Sequence, residues 1–258
     1  MRITGNFAEV IAYNDYLNEA QRILVENYLQ AKFNDSTVDN ITISNDQYDG
    51  DTTTNGNFDL DVAGIGRATS TETHTEAHSA GMIVQNGSFL QDDGDYLMFG
   101  HLTPTNSNVA TDLPGGWGVD ARRWERHWYV DVTDVGSITG TVNIIFDFSE
   151  AGMGNGSGPV VPLSNYRLLG RSGTTGDFAE VATASSINGD QVIFNGVSVS
   201  VLGSNFTLGS LDAAASPTAI TMQSAAATLP TPPWFITGLV LLALGVSAGV
   251  MIARGRKA

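Results

Sequence analysis

Apolar side chains recur at every second position through much of the chain. Trp128, Val130 and Val132 alternate with polar neighbours in RHWYVDVTD, Val142, Ile144 and Phe146 do so in GTVNIIFDFSE, and GSIT lies between the two runs. Alternation of this period turns one face of a strand to a core and the other to solvent. The same reading predicts strands over 60–66, 80–85 and 95–101, and in NYRLLGRS, FAEVATAS, DQVIFNGVSVS and SNFTLGSL. Asn188-Gly189 and Asn195-Gly196 read as turns between some of them. Short strands at a spacing of about ten residues predict a mainly β fold, an antiparallel β-sandwich over roughly 40–212.

Two segments depart from that period. Near the start, FAEVIAY (Phe7 to Tyr13) reads as a strand and NDYLNEAQRILVENYLQAKF as an amphipathic helix. Asn18 stands three residues before Gln21, the spacing of a capping box, and Ala20, Leu24, Val25, Tyr28 and Leu29 fall on one apolar face. At the other end, WFITGLVLLALGVSAGVMIA (234–253) carries no charge. As a helix it is about 30 Å long, the thickness of a bilayer core. Arg254, Arg256 and Lys257 follow at once, Trp234 stands at the opposite edge, and Pro230, Pro232 and Pro233 block extension of the helix on that side. The positive-inside rule then keeps the basic residues 254–258 in the cytoplasm and the rest outside. Residues 213–233, rich in Ala, Ser, Thr and Pro, read as a low-complexity stalk.

Charge sharpens this layout. Asp212 is the last acidic residue, so the chain before residue 233 holds nine basic against 27 acidic side chains, a net of −18. Such a surface repels nucleic acid and anionic lipid. Cysteine is absent, which excludes disulfides, thiolate metal sites and cysteine nucleophiles.

Candidate chemistry is sparse. The run NDQYDGDTTTNGNFDLD places Asp46, Asp49, Asp51, Asn55, Asn57, Asp59 and Asp61 close together, and clustered hard oxygens suit Ca²⁺. The EF-hand spacing is not met, and Asp and Asn in loops also serve turn chemistry. In TETHTEAH, Glu72, His74, Glu76 and His78 would share one face of a strand and could ligate a transition metal, or form an exposed polar strand or loop. Arg122, Arg123 and Arg126 beside Trp124 and Trp128 read either as a stacked cation–ring cluster or as strand packing. No nucleophile elbow is present, since GNGSGP at 154–159 follows no apolar strand. The expectation is a non-enzymatic protein with no required cofactor.

Several strings carry resemblances. FAEVIAYNDYLNEAQRILVENYLQAKF resembles the last strand and closing helix of concanavalin A-like, or laminin-G-like, jelly-roll domains of bacterial surface proteins. That implies that residues 1–33 are the remnant of a jelly roll whose other strands lie before Met1, in a fragment or a chain begun too late. LDVAGIGR (60–67), GDYLMFGH (94–101), RWERHWYVDV (123–132) and LGSNFTLGSL (202–211) resemble a β-domain of unknown function that often follows that jelly roll. The order of proline hinge, apolar helix and basic end is similar to the C-terminal sorting signals of bacterial surface proteins. LPTPP at 229–233 departs from the sortase box, with Pro232 in place of Thr and Pro233 in place of Gly. Together these imply a membrane-anchored surface protein, structural or adhesin-like, meeting a glycan or protein ligand. The alternatives are a carbohydrate-binding protein in full-length form or an extracellular hydrolase accessory module.

Overall fold

The structure, a computed structural model, describes residues 9–33, 43–153, 158–159 and 162–212. They form a mainly β fold: one helix, α1 (Glu19–Phe33), then two antiparallel sheets. The strands are β1 (Leu60–Thr69), β2 (Glu72–His74), β3 (Glu76–Ser79), β4 (Met82–Asn86), β5 (Asp95–His101), β6 (Asn108–Val109) and β7 (Arg122–Trp124). Next along the chain are β8 (Trp128–Thr133), β9 (Thr141–Asp147), β10 (Tyr166–Arg171), β11 (Ala179–Thr183), β12 (Ser186–Asn188), β13 (Gln191–Ser198) and β14 (Asn205–Ser210). The larger sheet runs β11-β10-β14-β8-β5-β1-β2, with β7 also paired to β14 and β6 to β7; the smaller runs β12-β13-β9-β4-β3.

Register explains why these strands stack. In the smaller sheet Val84 lies opposite Ile144 and Ile144 opposite Phe194; Met82, Phe146 and Val192 form the next row. All six are buried against the inner face of the larger sheet, in one core with Ile65, Leu97, Phe99, Trp124, Trp128, Val130, Leu168 and Phe206. Trp124 stands edge-on to Phe146 and Phe148, with ring centres 5.5 and 5.0 Å apart.

The larger sheet is covered on both faces, and β5 is buried along its whole length. Leu97 and Phe99 point into the sandwich, while Tyr96 and Met98 point outwards into a second cluster with Ile23, Leu24 and Ala31 of α1 and with Tyr48, Phe58 and Val62. Gly64 makes that layer possible. A Cβ there would stand 2.9 Å from Leu24 Cδ2 and 2.8 Å from Leu97 O, so glycine lets the helix sit close to the strand. The capping box forms: Gln21 N donates to Asn18 Oδ1 at 2.9 Å and Asn18 N to Gln21 Oε1 at 3.1 Å. The buried stripe is Ala20, Ile23, Leu24, Asn27 and Ala31. Tyr28, expected on that face, and Val25 and Leu29, expected beside it, are half-buried. Asn27 was not anticipated. Its Nδ2 donates to the carbonyls of Ile23 and Asn45, and its Oδ1 accepts from Gln47 N at 2.7 Å, which fastens the loop before Tyr48 to the helix.

Other expectations need correction. Residues 9–13 form no strand, and Phe7 and Ala8 lie outside the described residues. Residues 72–79 are not one strand. The chain breaks at Thr75, with β2 pairing β1 in the larger sheet and β3 pairing β4 in the smaller. Asn188-Gly189 does open a tight β12–β13 hairpin, in which Asn188 lies opposite Gln191. Asn195-Gly196 instead falls within β13, where the register with β9 shifts between Phe194 and Val197 and Gly196 takes φ +65°. That is a bulge, which demands the same left-handed residue as a turn. The stalk at 213–233, the membrane span at 234–253 with Trp234, and the tail with Arg254, Arg256 and Lys257 lie outside the described residues. Among the described residues no helix is long and apolar enough to cross a membrane.

Candidate functional site

The break at Thr75 has a consequence for the surface. β2 reaches β1 only at Gly66, Arg67 and Thr69, and the chain then departs for the other sheet. Between the departing strand and the first half of β1 a groove of about 460 Å³ opens, within the usual size range of ligand sites. Val62, Ala63 and Gly64 form one wall; His74, Glu76, Ala77 and His78 form the other. Leu24, Val25, Tyr28 and Gln21 of α1 border it, and the non-strand segment with Ile11, Tyr13 and Leu17 crosses beside it. Most of these side chains are apolar. Val10, Ile11, Tyr13 and Tyr16 along this segment are exposed, Tyr16 almost fully at 98%.

The polar rim is internally bonded. His78 Nδ1 lies 3.1 Å from Glu150 Oε1 and its Nε2 3.2 Å from Glu76 Oε1, while Gln85 Nε2 donates to Glu76 Oε2 at 2.6 Å. Carboxylates only accept, so both contacts are made when both ring nitrogens carry protons. Burial opposes the charged ring, but the hydrogen bonds to Glu76 and Glu150 outweigh it, and His78 titrates above the ordinary histidine range. His74 lies on β2, on the same wall of the groove, and burial lowers its pKa against the opposing charge of Glu76. Glu72, at the outer end of β2, lies opposite Thr69, so the four alternating residues of TETHTEAH do not converge.

The acidic loop is likewise dispersed. Asp46 accepts from Gln30 Nε2 and Tyr48 N. Asp49 and Asp51 bound a single 3₁₀ turn, and Asp49 N donates to the carboxylate of Asp131 at 2.7 Å. Asn55 donates back to Asp49 O, and Asn57 takes a left-handed backbone with φ +59°. Burial raises the pKa of Asp59 and of Asp131. Asp61 sits at the register shift of β1 and lies 2.8 Å from His101 Nε2. Among the described residues no group of three or more His, Cys, Asp or Glu side chains is placed to hold a metal ion. Asp131, 82 residues along from Asp49, had no signal in the sequence that tied it to this loop.

The arginines do not stack on tryptophan. Arg123 and Arg171 both cover the ring of Phe178, at 5.0 and 4.3 Å, and share Asp112, whose Oδ2 lies 2.9 Å from Arg123 Nη2 and 3.5 Å from Arg171 Nη1. Arg171 Nη2 stands 3.2 Å from His127 Nε2. That nitrogen must therefore accept, and burial pushes the His127 pKa down to about 4, which keeps the ring neutral. Arg126 donates to three backbone carbonyls, those of Ala80, Thr103 and Pro104. Arg122 donates to the carbonyls of Val119 and Ala121. These guanidinium groups hold loops together. No protein-family model, curated protein or solved structure matches the chain.

Proposed function

We propose that the chain is a membrane-anchored cell-surface module, structural or adhesin-like and without catalysis, that displays its β-sandwich outside the cell on the stalk at 213–233. The observation that carries this reading is the uncharged run 234–253 between Trp234 and the basic Arg254, Arg256 and Lys257. Arg123, Arg126, Arg171, Asp112 and His127 spend their hydrogen bonds on one another and on backbone carbonyls. The test is protease treatment of intact cells carrying an epitope on each side of 234–253. Digestion of the sandwich-side epitope alone, with release of the protein into the medium when 234–253 is deleted, is the expected result. Access of protease to the epitope beside Lys257 reverses the topology and overturns the reading.

A second reading is a carbohydrate-binding surface protein, lectin-like in its full-length form. Its support is the two-sheet sandwich, an architecture compatible with a jelly roll, together with the resemblance of residues 7–33 to a lectin-like closing segment. On that reading Tyr13 and Tyr28 beside the groove are the stacking rings. Binding on a glycan array by the full-length protein, abolished by Tyr28→Ala, against none by this chain, is its signature.

A further inference from the structure

We propose that Asn188 is a self-modification site, where the Gly189 amide nitrogen displaces ammonia from the side chain and leaves isoaspartate in the β12–β13 turn. Asn-Gly is the pair in which this ring closure meets least hindrance, because glycine presents no Cβ beside the attacking nitrogen. The described residues hold four such pairs, beginning at Asn55, Asn86, Asn188 and Asn195. The fold restrains three of them. Gly56 N donates to Thr52 O at 3.0 Å and Asn55 Nδ2 to Asp49 O at 2.8 Å. Gly87 N donates to Thr141 O at 3.0 Å, and Asn86 Oδ1 accepts from Phe89 N and Leu90 N. Gly196 N donates to Asn143 Oδ1 at 3.0 Å. Each of those nitrogens must give up its hydrogen bond before it attacks.

The fourth pair is open. Asn188 lies opposite Gln191, so Gly189 and Asp190 are the two central residues of the hairpin, and Gly189 takes φ +60°. Asn188 and Gly189 are both exposed. Among the described residues neither the Gly189 nitrogen nor the Asn188 side chain makes a hydrogen bond. The far side of the turn is fixed: Asp190 O accepts from Phe148 N at 3.1 Å, and Gln191 Nε2 donates to Asp147 Oδ2 at 2.8 Å. The chemistry balances with water alone. Gly189 N loses its proton to solvent and bonds to Asn188 Cγ; the Cγ–Nδ2 bond breaks, and Nδ2 takes up a proton and leaves as ammonia. Water then opens the succinimide ring at either carbonyl, giving aspartate or isoaspartate. Either product replaces an amide by a carboxylate, so the net charge moves from −15 to −16. Isoaspartate also carries the main chain through the former side chain, one methylene longer. β12 is three residues long, stands at the edge of the smaller sheet and pairs there with β13. The longer turn disturbs the Asn188–Gln191 register and loosens β12. That bares the edge of β13 beside the buried Val192 and Phe194, a template for another strand.

The test incubates the full chain in detergent in mildly alkaline buffer and maps each Asn-Gly pair by proteolysis and mass spectrometry. Isoaspartate is read by methyl transfer from S-adenosylmethionine with an isoaspartyl carboxyl methyltransferase. Asn188 is expected to convert about tenfold faster than Asn55, Asn86 and Asn195, each of whose following amides is held by a hydrogen bond. In urea the four rates are expected to converge, because the fold and not the sequence sets their order. Asn143→Ala, which frees Gly196 N, is expected to bring Asn195 towards the rate of Asn188. Asn188→Ser, at an exposed position, is expected to abolish methylation at the turn and leave the domain folded. In the converted chain, amide exchange in Ser186–Asn188 is expected to speed up while β4 keeps its rate. Equal rates at the four pairs in the folded chain, an undiminished lead for Asn188 in urea, or unchanged exchange in Ser186–Asn188 after conversion overturns the proposal. The inference stands apart from the membrane-anchored reading. Its failure leaves the anchor intact, and failure of the protease experiment leaves Asn188 as reactive as before.

Discussion

Two residues decide how the interior and the rim respond to change. Asp112 is the carboxylate between Arg123 and Arg171, whose side chains are only 6% and 7% exposed. Asp112→Ala leaves the two guanidinium groups without their shared carboxylate, and because Asp112 is itself 41% exposed the expected loss is about 1 kcal/mol by urea unfolding. A loss no larger than that of Glu180→Ala, whose pair with Arg167 lies nearer the surface, would show that Asp112 holds nothing. His78 sets a pH dependence. Its folded pKa is raised by Glu76 and Glu150, so the clamp contributes fully below the unfolded histidine value of about 6.5 and is lost as pH rises through the folded value. The group is 45% exposed, so the contribution is at most about 1 kcal/mol. Thermal unfolding of the wild type and of His78→Gln should differ most near pH 5 and converge above neutrality. A difference that grows with pH refutes the assignment.

At the scale of elements, α1 depends on a glycine. A side chain at Gly64 meets Leu24 on the helix and the Leu97 carbonyl across the ladder. Gly64→Val is expected to cost about 1–3 kcal/mol and to speed amide exchange in Glu19–Phe33 more than in β9. Equal acceleration in both would mean that helix and sandwich open as one unit. The start of α1 was legible because a capping box is local: Asn18 and Gln21 are three residues apart. The buried face was legible only in part, because propensity and spacing do not know that Asn27 finds the Asn45 carbonyl and the Gln47 amide. Alternating strands such as β8 and β9 were readable for the same local reason. β5 was readable from its apolar run, although that run could not say that both faces are covered. Asn195-Gly196 misled, since a bulge and a turn ask for the same left-handed backbone.

At the scale of the whole molecule, the order of strands was not legible at all. β14, the last strand, lies between β10 and β8, while β1 lies near the opposite edge. Pairings between distant segments leave no trace in local alternation. The groove was hidden for the same reason, because its walls come from α1, β1 and residues 74–78, and only the departure at Thr75 creates it. The position of β14 has a mechanical meaning for a domain tethered through its C-terminal side. If the proposed anchor holds, tension would enter at Ser210, on a strand held along both edges, by β10 from Tyr166 to Arg171 and by β7 and β8 on the other side. An edge strand under the same pull would peel away one hydrogen bond at a time. Here the load is shared by ladders on two sides, with the side chains of Phe206 and Leu208 locked into the core beneath them, so the sandwich resists being drawn apart from the end by which it would be held.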